Sequence, residues 1–267
     1  MGKRLEGKIA LVLGAAGRGN MGQVIARRFA SEGATVAVAG RHMGELEQLA
    51  DEIGGAAFSC DITRKADLKA FVDGTLARYG RIDIAVNATG WGKSAPFAEL
   101  SEEDLDRMLA IQFKGPYHFL ALLSQAMGEG GSVIQISSAT SRLMVPDYAA
   151  YQGTKAGVDH LIRVFANDFG PKRIRANTIS PGFTETPMTA DAMAIPGLKG
   201  AFEAKYPLGR VGTSDDIAAA AVWLASDECF MTGENLQVNG GLSLRGNPSA
   251  AEIGTAIEAA TRTSVAA

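Results

Sequence analysis

A single α/β domain built on a doubly wound parallel sheet is the fold this sequence predicts. Short apolar runs rich in β-branched residues alternate with longer amphipathic stretches from end to end, the pattern of parallel strands joined by crossover helices. Most of the short runs are apolar on both faces of the pleat, as expected for strands buried between two helix layers. No linker rich in Pro, Gly or Ser and no internal repeat divides the 267 residues, so one domain is expected.

The elements follow in order. Ile9 to Leu13 opens the sheet, and a glycine-rich stretch leads into a helix over Met21 to Ser31. Strand Thr35 to Ala39, helix Gly44 to Ile53, strand Ala57 to Cys60, helix Ala66 to Tyr79 and strand Ile82 to Val86 come next. One long helix, Glu102 to Met127, starts at Ser101-Glu-Glu-Asp104, where a hydroxyl and acidic side chains suit the free amides and positive end of a helix. Strand Val133 to Ile136 precedes helix Tyr148 to Phe169, and strand Ala176 to Ile179 follows. Thr213-Ser-Asp-Asp216 opens helix Ser214 to Ser226 by the same capping logic, and strand Leu236 to Val238 closes the sheet. Pro187 to Tyr206 breaks the alternation beyond the carboxyl end of strand Ala176 to Ile179, where such sheets bind ligands. It reads as a mobile substrate lid, with an ordinary connecting loop as the alternative. Residues 1–246 thus form the domain and 247–267 an extension.

Composition narrows the function classes. The chain is 46% hydrophobic and 21% charged with a formal net charge of −3, which offers no electrostatic footprint for nucleic acid or an anionic membrane. Cys60 and Cys229 read as reduced thiols. No apolar run approaches the roughly 20 residues of a membrane span, and no apolar signal region follows Met1. A cytoplasmic location is expected. His42, His118 and His160 lack ligand spacing, so no metal site is expected.

Gly14-Ala-Ala-Gly17-Arg18-Gly19-Asn20-Met21-Gly22 lies between the first strand and the first helix. Glycines there let a pyrophosphate approach bare amides at a helix N-terminus, so a dinucleotide site is expected. A dinucleotide enzyme that prefers NAD usually places Asp or Glu at the end of the second strand. This chain has Ala39-Gly40-Arg41-His42 instead, and Arg41 with Arg18 can pair with a 2′-phosphate. NADP is therefore favoured over NAD. Asp61, with Ile62 at the end of the third strand, suits the adenine amino group or, equally, a helix cap.

Tyr151 and Lys155 are four apart at the start of a helix and share one face. Ser138 lies just past the apolar strand Val133 to Ile136, where a parallel sheet presents catalytic residues. Hydride transfer to a ketone leaves an alkoxide that needs a proton. A lysine ammonium lowers a nearby tyrosine pKa for that task, and a serine hydroxyl holds the carbonyl oxygen.

Together these motifs resemble the short-chain dehydrogenase/reductase family, over about residues 5–243. The likeness also takes in Asn87-Ala-Thr-Gly90, Pro181-Gly182 with Thr186, and Val238-Asn-Gly-Gly241. It implies a Rossmann-type sheet and hydride exchange between NAD(P)(H) and a small carbonyl or alcohol substrate. It further implies that Lys155 binds the nicotinamide ribose, that Asn87 and Gly90 support the cofactor, and that Thr184 and Thr186 lie at its nicotinamide end. Family members are commonly homotetramers built on the two long central helices. Trp91, Met144, Phe183, Met188, Phe202 and Tyr206 would surround an apolar substrate or simply pack.

Two positions depart from the family pattern. Gln112 stands where an asparagine usually holds a water of the proton relay. Gly22 lies eight residues after Gly14 rather than six, as in the related enoyl-thioester reductases. Those enzymes place their tyrosine seven residues before the lysine, and Tyr148 has that spacing. Enoyl-thioester reduction is therefore the competing activity, and a catalytically silent NAD(P)-binding sensor is the non-enzyme alternative. The tail beyond Gly246 exceeds the usual family end, and its Ala251 to Ala259 stretch suits a short amphipathic helix against a neighbouring subunit or a disordered tail.

Overall fold

A computed structural model describes residues 3–265. The chain runs β1 (Ile9–Leu13), α1 (Met21–Ser31), β2 (Thr35–Gly40), α2 (Met43–Ile53), β3 (Ala56–Ser59), α3 (Lys65–Tyr79), β4 (Ile84–Asn87), α4 (Glu102–Leu109), α5 (Gly115–Ala126) and β5 (Gly131–Ile136). It continues through α6 (Ala149–Phe169), β6 (Ile174–Pro181), β7 (Thr184–Glu185), α7 (Ala190–Met193), α8 (Leu198–Glu203), β8 (Gly212–Thr213), α9 (Ser214–Ala225), β9 (Asn235–Val238), α10 (Leu242–Arg245) and α11 (Ala250–Val265). Seven strands form one parallel sheet in the order β3-β2-β1-β4-β5-β6-β9.

Alternate residues of each strand feed two cores, as the doubly apolar strands predict. Ala10 and Val12 join Ile25 and Phe29 of α1 and Ile217 of α9 on one face. Leu11 and Leu13 face the opposite way, in the core that holds Phe71, Phe119 and Phe165. β1 lies between β2 and β4, so the strand order reverses there and opens a crevice beyond the carboxyl ends of β1 and β4.

Two expectations are corrected, in the helix over 102–127 and in the tail. The helix expected over 102–127 is two α-helices joined by a π-helical turn, Ala110–Lys114. Such turns widen a helix locally and often mark functional sites, and Gln112 lies inside this one. The lid region holds a 3₁₀ turn, Pro187–Thr189, and the two short helices α7 and α8. It is fastened to the body: Phe183 and Phe202 stack at 4.3 Å, and the Tyr206 hydroxyl donates to the Phe183 carbonyl at 3.0 Å. The tail, expected as disorder or a helix on a neighbouring subunit, forms α11 against α8 of its own chain. Lys205 and Glu252 pair across that contact at 2.6 Å. Among the described residues no helix is long and apolar enough to cross a membrane.

Candidate active site

The glycine-rich loop is folded by its own polar residue. Asn20 accepts from the Gln23 amide at 2.9 Å, capping α1, and its Nδ2 donates to the Gly14 carbonyl at 2.8 Å. This closes the loop so tightly that a Cβ on Gly22 would lie 2.5 Å from the Gly14 oxygen, and one on Gly14 would lie 2.7 Å from the Ala88 carbonyl carbon. Bare backbone therefore faces the crevice at the positive end of α1, beginning at Met21. Gly17 leaves the approach open, and Arg18 is exposed beside it. The stretch fits the pyrophosphate of a dinucleotide.

Arg41 is exposed just past β2. Asp61 follows β3, and its Oδ1 accepts from the Thr63 amide at 2.9 Å and the Thr63 hydroxyl at 2.8 Å. Burial alone would raise the Asp61 carboxyl, but those bonds and the nearby Arg41 and Arg64 hold it below the usual carboxylate range. Its structural task is thus a tight turn, since α3 starts after Arg64 without a side-chain cap. Ile62 is buried under Gly115, where a Cβ would meet the Ile62 carbonyl at 2.7 Å. That contact seats the π-helical turn beside the crevice.

Ser138, Tyr151 and Lys155 converge at the carboxyl end of β5. Ser138 caps a 3₁₀ turn, with its Oγ 2.9 Å from the Thr140 hydroxyl. Tyr151 lies on the first turn of α6 and Lys155 on the next. The Lys155 Nζ donates to the Ile136 carbonyl at 3.1 Å and stands 5.6 Å from the centre of the Tyr151 ring. The loop before α6 is pinned by Gln152, whose Nε2 donates to the Val145 carbonyl at 2.7 Å and whose Oε1 accepts from the Val145 amide at 3.2 Å. Asp147, in the left-handed region at φ 62°, accepts from the Ala95 amide at 2.8 Å. Tyr148 ends this loop with its ring edge-on to Tyr151, centroids 6.1 Å apart.

The electrostatics differ from the simple expectation. Burial pushes the Tyr151 phenol above its ordinary value; Ser138 draws it back, and Tyr148 adds to the rise. Burial brings the Lys155 ammonium down to about 8, with Asp159 opposing. The Lys155 Nζ thus has the Ile136 carbonyl as its hydrogen-bond partner and the Tyr151 ring 5.6 Å away.

Gln112 donates to the Thr154 hydroxyl at 3.1 Å, and that hydroxyl donates to the Tyr151 carbonyl at 2.9 Å. The Gln112 Oε1 is buried without a hydrogen-bond partner among the described residues. A Cβ on Gly90 would stand 3.8 Å from the Lys155 Nζ and 3.9 Å from Gln112 Oε1, so both reach the same small space. Asn87 acts one step removed: it bonds Gln135 at 2.9 Å and accepts from the Thr89 hydroxyl at 2.7 Å, shaping the loop that carries Gly90. The roles of Gln152, Thr154 and Thr140 had no signal in the sequence, because none of their contacts, with Val145, Gln112 and Ser138 respectively, belongs to a motif.

Known proteins share both the sequence and the fold. Residues 14–243 match a family model described as enoyl-(acyl carrier protein) reductase. A D-threitol dehydrogenase of Mycolicibacterium smegmatis is 36% identical, covering 91% of this chain and 95% of that protein. The chain belongs to the short-chain dehydrogenase/reductase family. The 3-oxoacyl-[acyl-carrier-protein] reductase FabG of Thermotoga maritima is 32% identical, over 90% of this chain and 99% of its own. A dehydrogenase/reductase structure from Sinorhizobium meliloti 1021 superposes with a TM-score of 0.80 at 30% identity, covering 89% of this chain and 96% of its own. This short-chain dehydrogenase/reductase is accordingly an NAD(P)-dependent oxidoreductase.

The remaining family positions of this oxidoreductase lie after β6. Pro181 ends that strand, and Gly182 passes under Tyr206, where a Cβ would be 2.2 Å from the tyrosine oxygen. The buried Thr184 donates to the Gly182 carbonyl at 2.9 Å. Thr186 caps the 3₁₀ turn Pro187–Thr189, with Thr189 closing the capping box. A Cβ on Gly90 would also meet the Met188 methyl at 4.0 Å, so the turn after Thr186 reaches the same space as Lys155 and Gln112. Among the described residues no cluster of His, Cys, Asp and Glu has metal-holding geometry.

Proposed function

We propose that this enzyme moves hydride between NADP(H) and the carbonyl or secondary-alcohol carbon of a small, largely apolar substrate, with Tyr151 as the acid/base. The observation that carries this reading is the convergence of Ser138, Tyr151 and Lys155 at one strand end, beside a loop whose bare backbone fits a pyrophosphate. Gly14, Gly17, Asn20, Met21 and Gly22 form the cradle for that pyrophosphate. Asp61 and Ile62 border the adenine, and Asn87, Gly90, Pro181, Gly182, Thr184 and Thr186 frame the nicotinamide end. When bound, the nicotinamide supplies or accepts the hydride. Ser138 holds the substrate oxygen, and Tyr151 gives that oxygen a proton in reduction and takes it in oxidation. Lys155 holds the cofactor ribose and a positive charge near the phenol. The unpartnered Gln112 Oε1 suits a water that refills the relay. Residues 187–206, braced by α11, cover the substrate end as a lid, with the exposed Met144 and Met188 supporting an apolar ligand.

NADP is preferred on the strength of Arg41 and Arg18 and of the missing carboxylate after β2. Arg41→Asp is expected to weaken NADPH binding about tenfold or more, the contribution of a charged hydrogen-bonded contact, while sparing NADH. Fluorescence titration with both coenzymes checks it. A homotetramer is proposed on α4 to α6, where Leu105, Leu109, Phe113 and Tyr117 recur every four residues on an exposed face. Light scattering is expected to give four times the 27.9 kDa chain mass.

The function is tested by spectrophotometric turnover of NADPH and NADH against ketones and of NADP and NAD against alcohols. Coenzyme-dependent turnover of at least one panel member is expected, and turnover of enoyl thioesters alone overturns the carbonyl reading. The Tyr148 ring beside Tyr151 and the description of the matching family model favour that second chemistry enough to include it.

A further inference from the structure

The face of the sheet that packs on α6 is apolar low on β5 and β6, at Val133, Ile174 and Ala176. It turns polar at one level. Asn87, Gln135, Thr178 and Asn235 are register neighbours on four adjacent strands, so their side chains share that face. Lys155 and Asp159 lie above this row, one helical turn apart on α6, a spacing that sets Cβ atoms about 5–6 Å from each other.

The amides on β9 are ordered. Asn239 Nδ2 donates to Gln237 Oε1 at 3.0 Å, Gln237 Nε2 donates to Asn235 Oδ1 at 2.7 Å, and Asn235 Nδ2 donates to Asp159 Oδ2 at 2.6 Å. Residues two apart on a strand point the same way, so Asn235-Leu-Gln237-Val-Asn239 aims three successive dipoles at one carboxylate. Each bond polarises the next. Among the described residues Asp159 Oδ1 is buried without a hydrogen-bond partner, and so is Thr178 Oγ1 in the same row.

Lys155 is 3% exposed, and its Nζ donates to the neutral Ile136 carbonyl. A buried ammonium is costly without an opposing charge. The groups facing it are Tyr151 on its own helix, the Ile136 carbonyl from β5, neutral Gln112 from the π-helical turn and the Gly90 backbone. Asp159 accepts from neutral Asn235 of β9, whose register neighbour on β6 is neutral Thr178.

We infer that Asp159 is the counter-charge of Lys155, a positioning residue held in place by the amide chain that ends on it. The inference rests on the proposed role of Lys155, but its test does not. The Asp159 charge opposes the burial that brings Lys155 down to about 8, so removing it must lower the lysine further. The Lys155 13Cε resonance, assigned through Lys155→Met, is followed against pH in the full-length protein without added coenzyme. Asp159→Asn keeps the shape and an acceptor for Asn235. It is expected to lower the Lys155 midpoint by roughly one pH unit, and Asp159→Glu is expected to restore it. If Asp159→Asn does not fold, Asp159→Ser carries the same test. A midpoint unmoved in a folded charge-removing variant overturns the inference, whatever Tyr151→Phe shows about catalysis.

Discussion

Tyr151→Phe is expected to lower kcat by about 10²- to 10⁴-fold, the contribution of a positioned proton donor, while leaving coenzyme affinity nearly unchanged. The substitution removes one oxygen and keeps the ring that packs against Gly92, where a Cβ would lie 3.0 Å from the tyrosine ring. Tyr148→Phe is the necessary companion, because the two rings meet edge to edge. In the carbonyl reading Tyr148→Phe retains most activity. The reverse pattern, with Tyr151→Phe active and Tyr148→Phe silent, would transfer the acid/base role to Tyr148 and favour enoyl reduction. The pH profile adds a second check. Lys155 has its folded value lowered to about 8, so its charge is present below that pH and lost as pH rises through it. Because kcat/KM reports the free enzyme, a limb that falls as pH rises through about 8 is expected.

Gly22→Val is expected to raise the coenzyme Kd at least tenfold and to lower stability by about 1–3 kcal/mol, the usual cost of forcing atoms into a packed site. A Cβ there would meet the Gly14 oxygen at 2.5 Å, its carbonyl carbon at 2.8 Å and the Ala15 Cα at 3.1 Å. None of these atoms can easily yield. The Gly14 amide donates to the Ala39 carbonyl at 2.8 Å, and the Gly14 carbonyl accepts from Asn20 at 2.8 Å. The start of α1 must move instead, carrying its free amides away from the pyrophosphate. NADPH fluorescence and thermal unfolding measure the two effects. Gly44→Ala provides the control: it lies in α2 with nothing within 4 Å of the new methyl. Equal losses in both variants would show that the loop carries no special burden.

Gly197 has φ 81°, and a Cβ there would stand 2.2 Å from the Ala256 carbonyl oxygen. Asn247 donates to the Met144 carbonyl at 3.1 Å. The segment after Gly246 therefore braces both α8 and the loop that follows Ser138, from within the same chain.

What the sequence by itself determined was whatever follows from periodicity, spacing and local capping. Strands apolar on both faces required helices above and below the sheet. A glycine run between Leu13 and Met21 required bare backbone at a helix start, and Tyr151 with Lys155 had to share a helical face. The extended capping residues Ser101 and Thr213 mark helix starts because their hydrogen bonds close within three residues. Tertiary structure decided what depends on residues far apart in the chain. Gln112 meets Thr154 only because a π-helical turn, seated by Gly115 against Ile62, rotates it into the site. The Lys155 ammonium bonds the Ile136 carbonyl, 19 residues away at the end of β5. Asp159 finds its donor 76 residues away on β9, through a sheet order that no local pattern encodes. Spacing along a helix fixes which side chains can meet, but burial and long-range pairing fix their charge and direction.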